Sequence, residues 1–403
     1  MRVAVIGQGY VGLTIAVEAA KTGHDVIGFD VNTGIVERLQ AGNSHIEGVS
    51  NTDLTTLISE GHLRLSSAPA SISEAEVIVI AVPTPLDKER KPDASFLKAA
   101  CRLIAENIHH SALVINESTS YPGTLRKLIA ASITSMSEPG ITHLYAASPE
   151  RVDPGNSEWG QRRTPRLISG LTPEATALAR EFYSAFCENI VEVSSPEVAE
   201  AAKLFENTFR QVNIALVNEF AQIAHALGIP SREVIDAAST KPYGFMPFAP
   251  GPGVGGHCIP VDPSYLASVA EAAGVPATFI RRANEVNMKM PTYVVARVKK
   301  DLGTLSGKRV LVVGVSYKTN VADTRETPAE LIINELEREG AIVSWHDPLV
   351  GSWLGKFSAD LTPSTADAAI VVTKHDVINA KDILLAATYV FDCTGKIGGV
   401  ATL

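Results

Sequence analysis

Cys258 is the residue whose setting in this chain most favours covalent chemistry. It lies in a glycine- and proline-rich segment, GPGVGGHCIPVDP, that runs from Gly251 to Pro263. Such a segment can expose a thiol and bring backbone amides close to a ligand, and a thiolate is a strong nucleophile. A single cysteine is more often a small core residue, but core cysteines usually lie within apolar runs, as Cys101 does. We therefore predict that Cys258 is a nucleophile carried by a loop.

A second pattern with chemical meaning opens the chain. Gly7, Gly9 and Gly12 form G-x-G-x-x-G between a predicted strand and a predicted helix. The first glycine permits a tight turn, the second lets the backbone approach a pyrophosphate, and the third allows close helix packing. Asp30 ends the next predicted strand, 18 residues after Gly12, where a carboxylate can hold a ribose 2′-hydroxyl and repel a 2′-phosphate. The pattern predicts NAD rather than NADP, and its alternative is a purely structural glycine turn.

The sequence around this turn has the pattern of a parallel sheet. Apolar runs that predict strands alternate with helical segments, and the strands are expected at residues 2–6, 24–29, 77–82, 113–115 and 143–147. Strands of this kind are covered by helices on both faces.

The texture changes twice further along the chain. Residues 197–227 contain no glycine or proline and predict one long helix or a closely joined pair. Helical character continues at 233–238, 265–273 and 291–302, with a loop at 247–263, and an α/β pattern returns with strands at 308–313, 341–346, 368–373 and 389–392 and a helix at 327–339. We predict an α/β fold in which two Rossmann-like domains, residues 1–195 and 304–403, are joined by a central helical domain, residues 196–303.

Composition narrows the class of protein. The chain has 403 residues, of which 45% are hydrophobic and 20% charged, as expected of a soluble enzyme with two or three domains. Its net charge of -9 argues against a nucleic-acid partner. The four cysteines are scattered without metal-ligand spacing, which predicts a reduced protein without a metal. With no signal-peptide pattern and no apolar run of about 18 residues, we expect a cytoplasmic protein without a membrane partner.

Six motifs occur in one order along the chain: GQGYVG, AVPTPL, ESTSYPGT, SPERVDPG, GPGVGGHCIPVDP and GVSYKTNVADTRETP. With them the chain resembles the UDP-glucose/GDP-mannose dehydrogenase family over nearly its whole length. The resemblance implies an NAD-binding domain, a central helical domain that forms a homodimer, and a C-terminal domain that binds UDP. It also implies oxidation of the C6 alcohol of a UDP-sugar to the acid with two NAD, through a thiohemiacetal and a thioester on Cys258.

The same resemblance implies roles for individual residues. Lys203 accepts a proton and steadies the sugar oxygen, and Asn207, one helical turn later on the same face, binds the developing oxyanion. Glu150 acts as the acid/base of thioester hydrolysis, Thr119 positions water and contacts the cofactor, and Asp262 orients Lys203 or the attacking water. The cofactor-binding set is Gly7, Gly9, Tyr10, Val11, Gly12, Asp30, Pro83, Thr84, Thr119 and Arg325. The substrate-binding set is Glu150, Arg151, Lys203, Asn207, Gly251, Gly255, Tyr317 and Lys318.

Each of these residues also has a plainer interpretation. Lys203 by its periodicity is a solvated helix lysine, Glu150 could pair with Arg151, and Asp262 before Pro263 is typical of a turn. For Lys318 and Arg325, the alternative is an ion pair at a domain interface.

The residues around the cysteine indicate which sugar the family resemblance favours as the substrate. His257 and Val261, together with KPYGFMPF and SPERVDPG, are similar to the branch of the family that oxidises UDP-N-acetylhexosamines, and UDP-N-acetylglucosamine is the expected substrate. UDP-N-acetylmannosamine and UDP-glucose are the alternatives. Ile35 stands where many members carry a cation that contacts adenosine. Thr394 stands where members usually have an arginine after the strand aspartate, so a uridine or diphosphate contact is lost or shifted.

Two other classes of function compete with this interpretation. A two-electron dehydrogenase of small hydroxy acids would share the N-terminal pattern without needing Cys258. A non-enzymatic sensor of nucleotide sugars would need none of the acid, base and nucleophile set. A role in making a surface polysaccharide follows from the resemblance alone.

Overall fold

A computed structural model describes residues 1–46, 48–152, 158–256 and 258–403, and the side chain of Cys258 lies outside this description. The chain divides into two compact units, Met1–Glu206 (unit 1) and Asn207–Leu403 (unit 2). Each unit has its own apolar core. The three-domain division made from the sequence stays a prediction.

Unit 1 is built on one sheet, which has eight strands within the described residues. Its strands are β1 (Arg2–Ile6), β2 (Asp25–Phe29), β3 (Leu63–Ser66), β4 (Val77–Ile80), β5 (Leu113–Asn116), β6 (Leu144–Ala147), β7 (Arg166–Gly170) and β8 (Ile190–Glu192). Their order is β3-β2-β1-β4-β5-β6-β7-β8, and the pairs are parallel except for antiparallel β6 and β7. The helices are α1 (Tyr10–Lys21), α2 (Thr33–Gln40), α3 (Asn51–Ser59), α4 (Ser95–Asn107), α5 (Ala131–Met136) and α6 (Pro173–Ser184), with a 3₁₀ turn at Pro69–Ile72 and a π-helical stretch at Leu125–Ala130.

The centre of this sheet is apolar on both faces, as the sequence predicts. All of the residues of β4 and β5 are buried, and so are four of the five residues of β1. The strand order reverses between β1 and β4, because the chain leaves β1 toward β2 and β3 on one side and returns through β4 on the other. In open parallel sheets a ligand binds beyond the carboxyl ends of the strands at such a reversal.

Unit 2 includes most of a single long helix, α7 (Pro196–Leu227), which begins in unit 1. Its further elements are α8 (Ser231–Ser239), α9 (Cys258–Ala272), α10 (Thr278–Leu302), β9 (Arg309–Val313), α11 (Pro328–Arg338), β10 (Ile342–His346), β11 (Ser352–Trp353), β12 (Lys356–Phe357), β13 (Ala366–Val371), α12 (Ala380–Ala386), β14 (Ala387–Asp392) and β15 (Ala401–Thr402). The parallel sheet has the order β10-β9-β13-β14-β15, and β11 pairs with β12 as a separate antiparallel ribbon. The long helix and the α/β fold class are confirmed.

Two helix boundaries were predicted wrongly, both because of proline. Helix α9 begins at Cys258 rather than at residue 265, so Cys258 opens a helix instead of lying in a loop. Pro260 falls in the first turn, where a missing N–H costs no helical hydrogen bond. Helix α10 begins at Thr278 rather than at residue 291, and Pro291 lies inside it. The buried neighbours Met290 and Val294 hold that helix against the core despite the lost bond.

The carboxyl edge of the sheet in unit 2 is fastened by a buried polar cluster. The Asp347 carboxylate, after β10, accepts hydrogen bonds from the backbone N–H groups of Val315 (2.8 Å) and Ser316 (3.1 Å), which follow β9. His375 Nε2, after β13, lies 3.1 Å from the same carboxylate. Its Nδ1 accepts the N–H of Asn320, so the ring proton lies on Nε2, directed at the cluster. The loops after three neighbouring strands are thus tied together.

We expect Asp347→Asn to destabilise the protein by about 3 kcal/mol at pH 7, because the buried donors lose their charged acceptor. Burial on its own raises the pKa of the Asp347 carboxyl, but hydrogen bonds from His375, Leu349 and Ser316 outweigh it and hold the pKa below its ordinary value. A carboxyl whose pKa is lowered by folding stabilises the fold above its unfolded pKa, and this contribution is lost as the pH falls. We therefore expect the difference in stability between Asp347→Asn and the wild type, measured by thermal unfolding, to decrease from pH 7 to pH 3.

Asp360→Asn, at an exposed carboxyl in the same unit, is the control and should unfold like the wild type at every pH. A difference between Asp347→Asn and wild type that stays constant down to pH 3 would show that the charge of Asp347 does not hold the cluster.

Candidate active site

The three glycines of the N-terminal turn occupy three different environments. Gly7 has φ +93°, and a Cβ on it would lie 2.5 Å from the carbonyl oxygen of Ala81. A Cβ on Gly12 would lie 1.8 Å from the carbonyl oxygen of Gly7, so helix α1 packs directly on the turn. A Cβ on Gly9 would meet no atom of the described residues within 4 Å, which leaves open space at the first turn of α1. Close packing at two glycines and space at the third are what a bound pyrophosphate requires.

The Asp30 carboxylate lies directly against this turn. Its Oδ2 accepts the N–H of Gln8 at 2.8 Å, and its Oδ1 accepts the N–H of Asn32 at 2.9 Å. These bonds hold the carboxylate beside the glycines, where a ribose would follow the pyrophosphate. Ile35, at the position where family members carry a cation, lies in α2 and packs against the core of unit 1.

These residues fit NAD, which when bound accepts a hydride from the substrate. The open space at Gly9 suits its pyrophosphate, and the Asp30 carboxylate suits its adenosine ribose. The other predicted cofactor residues of unit 1 lie at the same edge of the sheet: Tyr10 and Val11 in the first turn of α1, Pro83 and Thr84 after β4, and Thr119 after β5. Arg325 belongs to unit 2, where it pairs with Asp323 at 2.6 Å.

Glu150 lies after β6 and is 8% exposed. Its Oε1 accepts the N–H of Val152 at 2.6 Å and a hydrogen bond from Gln161 Nε2 at 3.4 Å. The alternative of an ion pair with Arg151 is wrong, because Arg151 pairs with Glu206 at 2.6 Å and donates to the Pro165 carbonyl. Residues 153–157 of the SPERVDPG motif lie outside the described part of the chain.

Lys203 is buried in α7, at 7% exposure, so its interpretation as a solvated helix lysine is wrong. One turn earlier in the helix, the buried Glu200 holds the loop that carries Thr119. It accepts the N–H groups of Gly123 (2.6 Å) and Leu125 (2.9 Å) and the Ser120 hydroxyl (3.3 Å). Burial raises the pKa of Glu200 to about 7, although these donors act against the rise. Glu200 was not predicted from the sequence, because nothing in its helical spacing distinguishes it from a surface glutamate.

Asn207 and Asp262 meet within unit 2. The Asn207 Nδ2 donates to Asp262 Oδ2 at 2.5 Å, and Asp262 is fully buried. The alternative of an Asp-Pro turn is wrong, because Asp262 lies in the second turn of helix α9. The backbone of Cys258 begins this same helix, one turn before Asp262.

The glycine segment before Cys258 packs on the GVSYKTNVADTRETP motif. The N–H of Gly256 donates to the Arg325 carbonyl at 2.9 Å. A Cβ on Gly255 would lie 2.7 Å from the Cβ of Tyr317, and one on Gly256 would lie 2.8 Å from its ring. Predicted substrate residues from two distant motifs, Gly255 and Tyr317, are therefore in contact, and Lys318 follows directly in the chain. The position of His257 lies outside the described residues.

A buried amide chain anchors the start of the glycine segment. The N–H of Gly251 donates to Asn218 Oδ1 at 2.9 Å, Asn218 Nδ2 donates to Asn287 Oδ1 at 2.9 Å, and Asn287 Nδ2 donates to the Gln211 carbonyl at 3.2 Å. Asn218 and Asn287 are almost fully buried in α7 and α10. Neither was predicted from the sequence, although amides on the apolar face of a helix were the available signal.

A further residue that the sequence did not reveal is Arg232 of α8. Its guanidinium donates to the carbonyls of Pro250 (3.1 Å) and Cys393 (2.9 Å), and a Cβ on Gly395 would lie 2.0 Å from its Nε. The Thr394 hydroxyl instead donates a hydrogen bond to Asp392 Oδ1 at 2.7 Å. An arginine therefore does lie at the end of β14, but it comes from another element of unit 2.

The remaining cysteines are unsuited to nucleophilic chemistry. Cys101, Cys187 and Cys393 are buried, and burial raises the pKa of all three thiols, that of Cys101 to about 12. The described His, Cys, Asp and Glu side chains include no group of three that could hold a metal ion. Across the described residues, no helix has the length and hydropathy needed to cross a membrane.

The sheet, the glycine turn and Asp30 define an NAD-binding protein, and comparison with known proteins identifies its class of enzyme. The chain belongs to the UDP-glucose/GDP-mannose dehydrogenase family. The family's NAD binding domain matches residues 1–187, its central domain residues 197–289 and its UDP binding domain residues 311–398. The chain is thus an NAD-dependent nucleotide-sugar dehydrogenase.

Individual relatives are similar over most of their length. The UDP-N-acetyl-D-mannosamine dehydrogenase of Pyrococcus horikoshii is 36% identical, covering 93% of this chain and 90% of that protein. The UDP-N-acetyl-D-glucosamine 6-dehydrogenase of Pseudomonas aeruginosa is also 36% identical, covering 90% of this chain and 86% of that protein. A solved structure of the Pyrococcus horikoshii UDP-D-ManNAc dehydrogenase matches with a TM-score of 0.90 at 32% identity, covering 100% of this chain and 98% of that chain.

We expect Asp30→Asn to weaken NAD binding about tenfold, the effect of losing a hydrogen bond to a charged group. The preference for NAD over NADP should decrease at the same time, because the variant lacks the negative charge that repels a 2′-phosphate. Calorimetric titration with each dinucleotide measures both effects. Asp25→Asn, at an exposed carboxyl that begins the same strand and pairs with Arg64, should leave both affinities unchanged. An unaltered NAD-to-NADP ratio in Asp30→Asn would refute the assignment.

Proposed function

We propose that this enzyme is a UDP-N-acetylglucosamine 6-dehydrogenase that oxidises the C6 alcohol of its substrate to the carboxylate, with two NAD consumed per sugar. The observation that carries the reaction is the hydrogen bond between Asn207 and the buried Asp262, in the helix that Cys258 begins. The choice of sugar rests on the sequence around the cysteine, His257, Val261 and KPYGFMPF, and on the similarity to the Pseudomonas aeruginosa enzyme. UDP-N-acetylmannosamine is the second candidate, favoured by the equal identity to the Pyrococcus horikoshii enzyme.

In the first oxidation, a hydride leaves the C6 carbon and the C6 hydroxyl loses its proton. We assign the uptake of this proton to Lys203. A lysine buried in a helix has a fixed position, which suits an amine that must meet one oxygen of the sugar. Thr119 lies after β5, in the loop that Glu200 holds, and we assign it to position water and the cofactor.

The aldehyde then takes up the Cys258 thiolate. The sulfur forms a bond to the carbonyl carbon, and the oxygen becomes an oxyanion. We assign its protonation, which gives the thiohemiacetal, to Lys203, which took up a proton in the first oxidation. The Asn207 amide has two hydrogens, of which one is bound to Asp262. We assign the other to the oxyanion, with Asp262 fixing which end of the amide faces it.

The second hydride leaves C6 of the thiohemiacetal, and we assign the proton of its hydroxyl to Lys203, so that a thioester forms on Cys258. We assign Glu150 to remove a proton from the water that attacks this thioester, after which the carbon–sulfur bond breaks and Cys258 leaves as a thiolate. For the substrate's nucleoside diphosphate, we propose Tyr317, Lys318 and the glycine segment at Gly251 and Gly255, with Arg151 as a further substrate residue. Arg232, which donates to the carbonyls of Pro250 and Cys393, is a cation in the same unit as Tyr317, Lys318 and the glycine segment.

A panel of nucleotide sugars tests the proposal. With UDP-N-acetylglucosamine, UDP-N-acetylmannosamine, UDP-glucose and GDP-mannose, we expect the highest kcat/KM on UDP-N-acetylglucosamine and two NADH per sugar, read by absorbance. Cys258→Ser should bind NAD normally but form no acid, because a hydroxyl cannot replace the thiol in a thioester.

Each alternative has its own signature in this panel. One NADH per sugar in the wild type, or unchanged acid formation by Cys258→Ser, would refute the thioester route. Fastest turnover on UDP-N-acetylmannosamine would reassign the sugar and retain the reaction. No turnover on any of the four would favour a sensor.

We also propose that the enzyme is a homodimer formed along α7. Six large apolar residues of this helix are exposed: Val198, Phe205, Phe209, Leu216, Ile223 and Leu227. Their spacings of seven, four, seven, seven and four residues put them on one face of the helix. An exposed apolar stripe of this length on a soluble protein is typical of an interface with a second copy.

Replacing Leu216 and Ile223 together by Glu should therefore give a monomer, because charges would be buried without partners in the interface. Light scattering coupled to size-exclusion chromatography measures the mass. Phe357→Glu, at an exposed aromatic residue of β12 outside the stripe, should leave the dimer intact. A wild-type monomer, or a double variant that still dimerises, would contradict the assignment.

A further inference from the structure

Glu150 lies at the end of a buried polar chain within unit 1. Its Oε1 accepts a hydrogen bond from Gln161 Nε2 at 3.4 Å, and the Gln161 Oε1 accepts one from Arg166 Nη2. Arg166 Nη1 donates to the Glu117 carboxylate and to Ser148 Oγ, the latter at 3.1 Å. Each of these five side chains is at least 92% buried, since the most exposed of them is Glu150 at 8%.

The topology of the sheet brings this chain together. Glu117 follows β5, and Ser148 and Glu150 follow β6, so they lie at the carboxyl edge of the sheet. Arg166 is the first residue of β7, and because β7 runs antiparallel to β6, its start lies at that same edge. Tyr183 of α6 covers the guanidinium, whose carbon lies 4.4 Å from the ring centroid, and its hydroxyl donates to Glu117.

The charges explain why arginine is required here. Glu117 neutralises the buried cation, since an unpaired charge at this depth would be very costly. The guanidinium is planar and has donors on two sides. Arg166 therefore donates to Glu117 through Nη1 and to Gln161 through Nη2. A lysine ammonium could pair with Glu117 but would not present this second, fixed donor.

Arg166 also decides which way the Gln161 amide is turned. Arginine has only donors, so the amide oxygen must face it and the NH₂ must face Glu150. The opposite orientation would put an amide oxygen against a carboxylate oxygen. The described hydrogen bonds to Glu150, from Gln161 and from the N–H of Val152, both go to Oε1.

We propose that Gln161, oriented by Arg166, is a positioning residue that holds Glu150 by Oε1 and presents its Oε2 to the water that cleaves the thioester. This inference rests on the proposed function. In the step, the water proton passes to Oε2, the water oxygen bonds to the thioester carbon, the carbon–sulfur bond breaks, and the sulfur leaves as the Cys258 thiolate. Neither Gln161 nor Arg166 takes part in either hydride transfer.

The test is Gln161→Leu, which keeps similar volume and removes both hydrogen bonds. Mixed rapidly with excess NAD and UDP-N-acetylglucosamine, the variant should release two NADH per subunit in a burst. Steady-state turnover should then be about 10–100-fold slower than in the wild type, the scale expected for a misplaced catalytic group. Intact mass spectrometry of the quenched variant should show the sugar acyl adduct, which Cys258→Ser cannot form.

Arg166→Lys provides a second, independent variant. It keeps a cation beside Glu117 but loses the donor to Gln161, so it should give the same burst and the same adduct. Since both changes break one contact chain, the double variant should be no slower than the slower single variant. Arg162→Lys, at an exposed arginine four residues away that pairs with Glu188, should turn over without a burst or adduct.

The outcomes separate positioning from mere stability. Equal slowing of the burst and of steady-state turnover in Gln161→Leu, or wild-type kinetics, would overturn the inference. If that variant does not fold, Arg166→Lys decides by the same readouts. A wild type that forms no acid from any UDP-sugar would instead refute the proposed function, and this inference with it.

Discussion

Parallel pairing of the central strands is the constraint on which the rest of unit 1 depends. Because β1, β2, β4, β5 and β6 run in one direction, the segments that follow them must meet at one edge of the sheet. The glycine turn, Asp30, Thr84, Thr119 and Glu150 come from five such segments. Residues far apart in the chain thereby become neighbours of one cofactor edge without any special long-range contact. Strand β7, which runs antiparallel to β6, adds Arg166 to that edge from the opposite direction.

Both units use one device at this edge, with different consequences. After the second strand of each sheet stands an aspartate that accepts backbone N–H groups from the turn after the first strand: Asp30 from Gln8, and Asp347 from Val315 and Ser316. Asp30 is half-buried and remains reachable by a ribose. Asp347 is fully buried beneath His375, so its carboxylate fastens the fold and has no free side for a ligand. The same architecture thus serves a dinucleotide in one unit and is closed at this position in the other.

Buried polar groups hold the segments to which we assign the chemistry. Glu200 holds the Thr119 loop, Asn218 and Asn287 hold the start of the glycine segment, and Asp262 holds Asn207. A buried donor or acceptor without a partner costs about 1–3 kcal/mol, so each segment has few acceptable conformations. This restriction suits the reaction that we propose, in which one sugar carbon must keep the same position through two oxidations and a hydrolysis.

The sequence alone determined the fold class, the cofactor turn, the long helix α7 and the motifs that identify the family. These depend on local properties: apolar periodicity, the glycine spacing at Gly7, Gly9 and Gly12, and short motifs that can be read directly from the chain. The sequence could not determine helix boundaries near proline. Pro260 is tolerated because it falls in the first turn of α9, whereas Pro291 lies inside α10, which the packing of Met290 and Val294 holds against the core.

Only the tertiary structure decided how the polar side chains are partnered. Glu150 is bound to Gln161 and not to Arg151, Lys203 is buried, Asp262 is bound to Asn207, and Arg232 lies where Thr394 departs from the family pattern. None of these pairings is written in the spacing of the chain, because each joins elements that only sheet topology and helix packing bring together. Burial then decides which charged groups are solvated and which must find a partner. The sequence was enough to identify many of the candidate residues, but only the tertiary structure determined which of them are joined by hydrogen bonds.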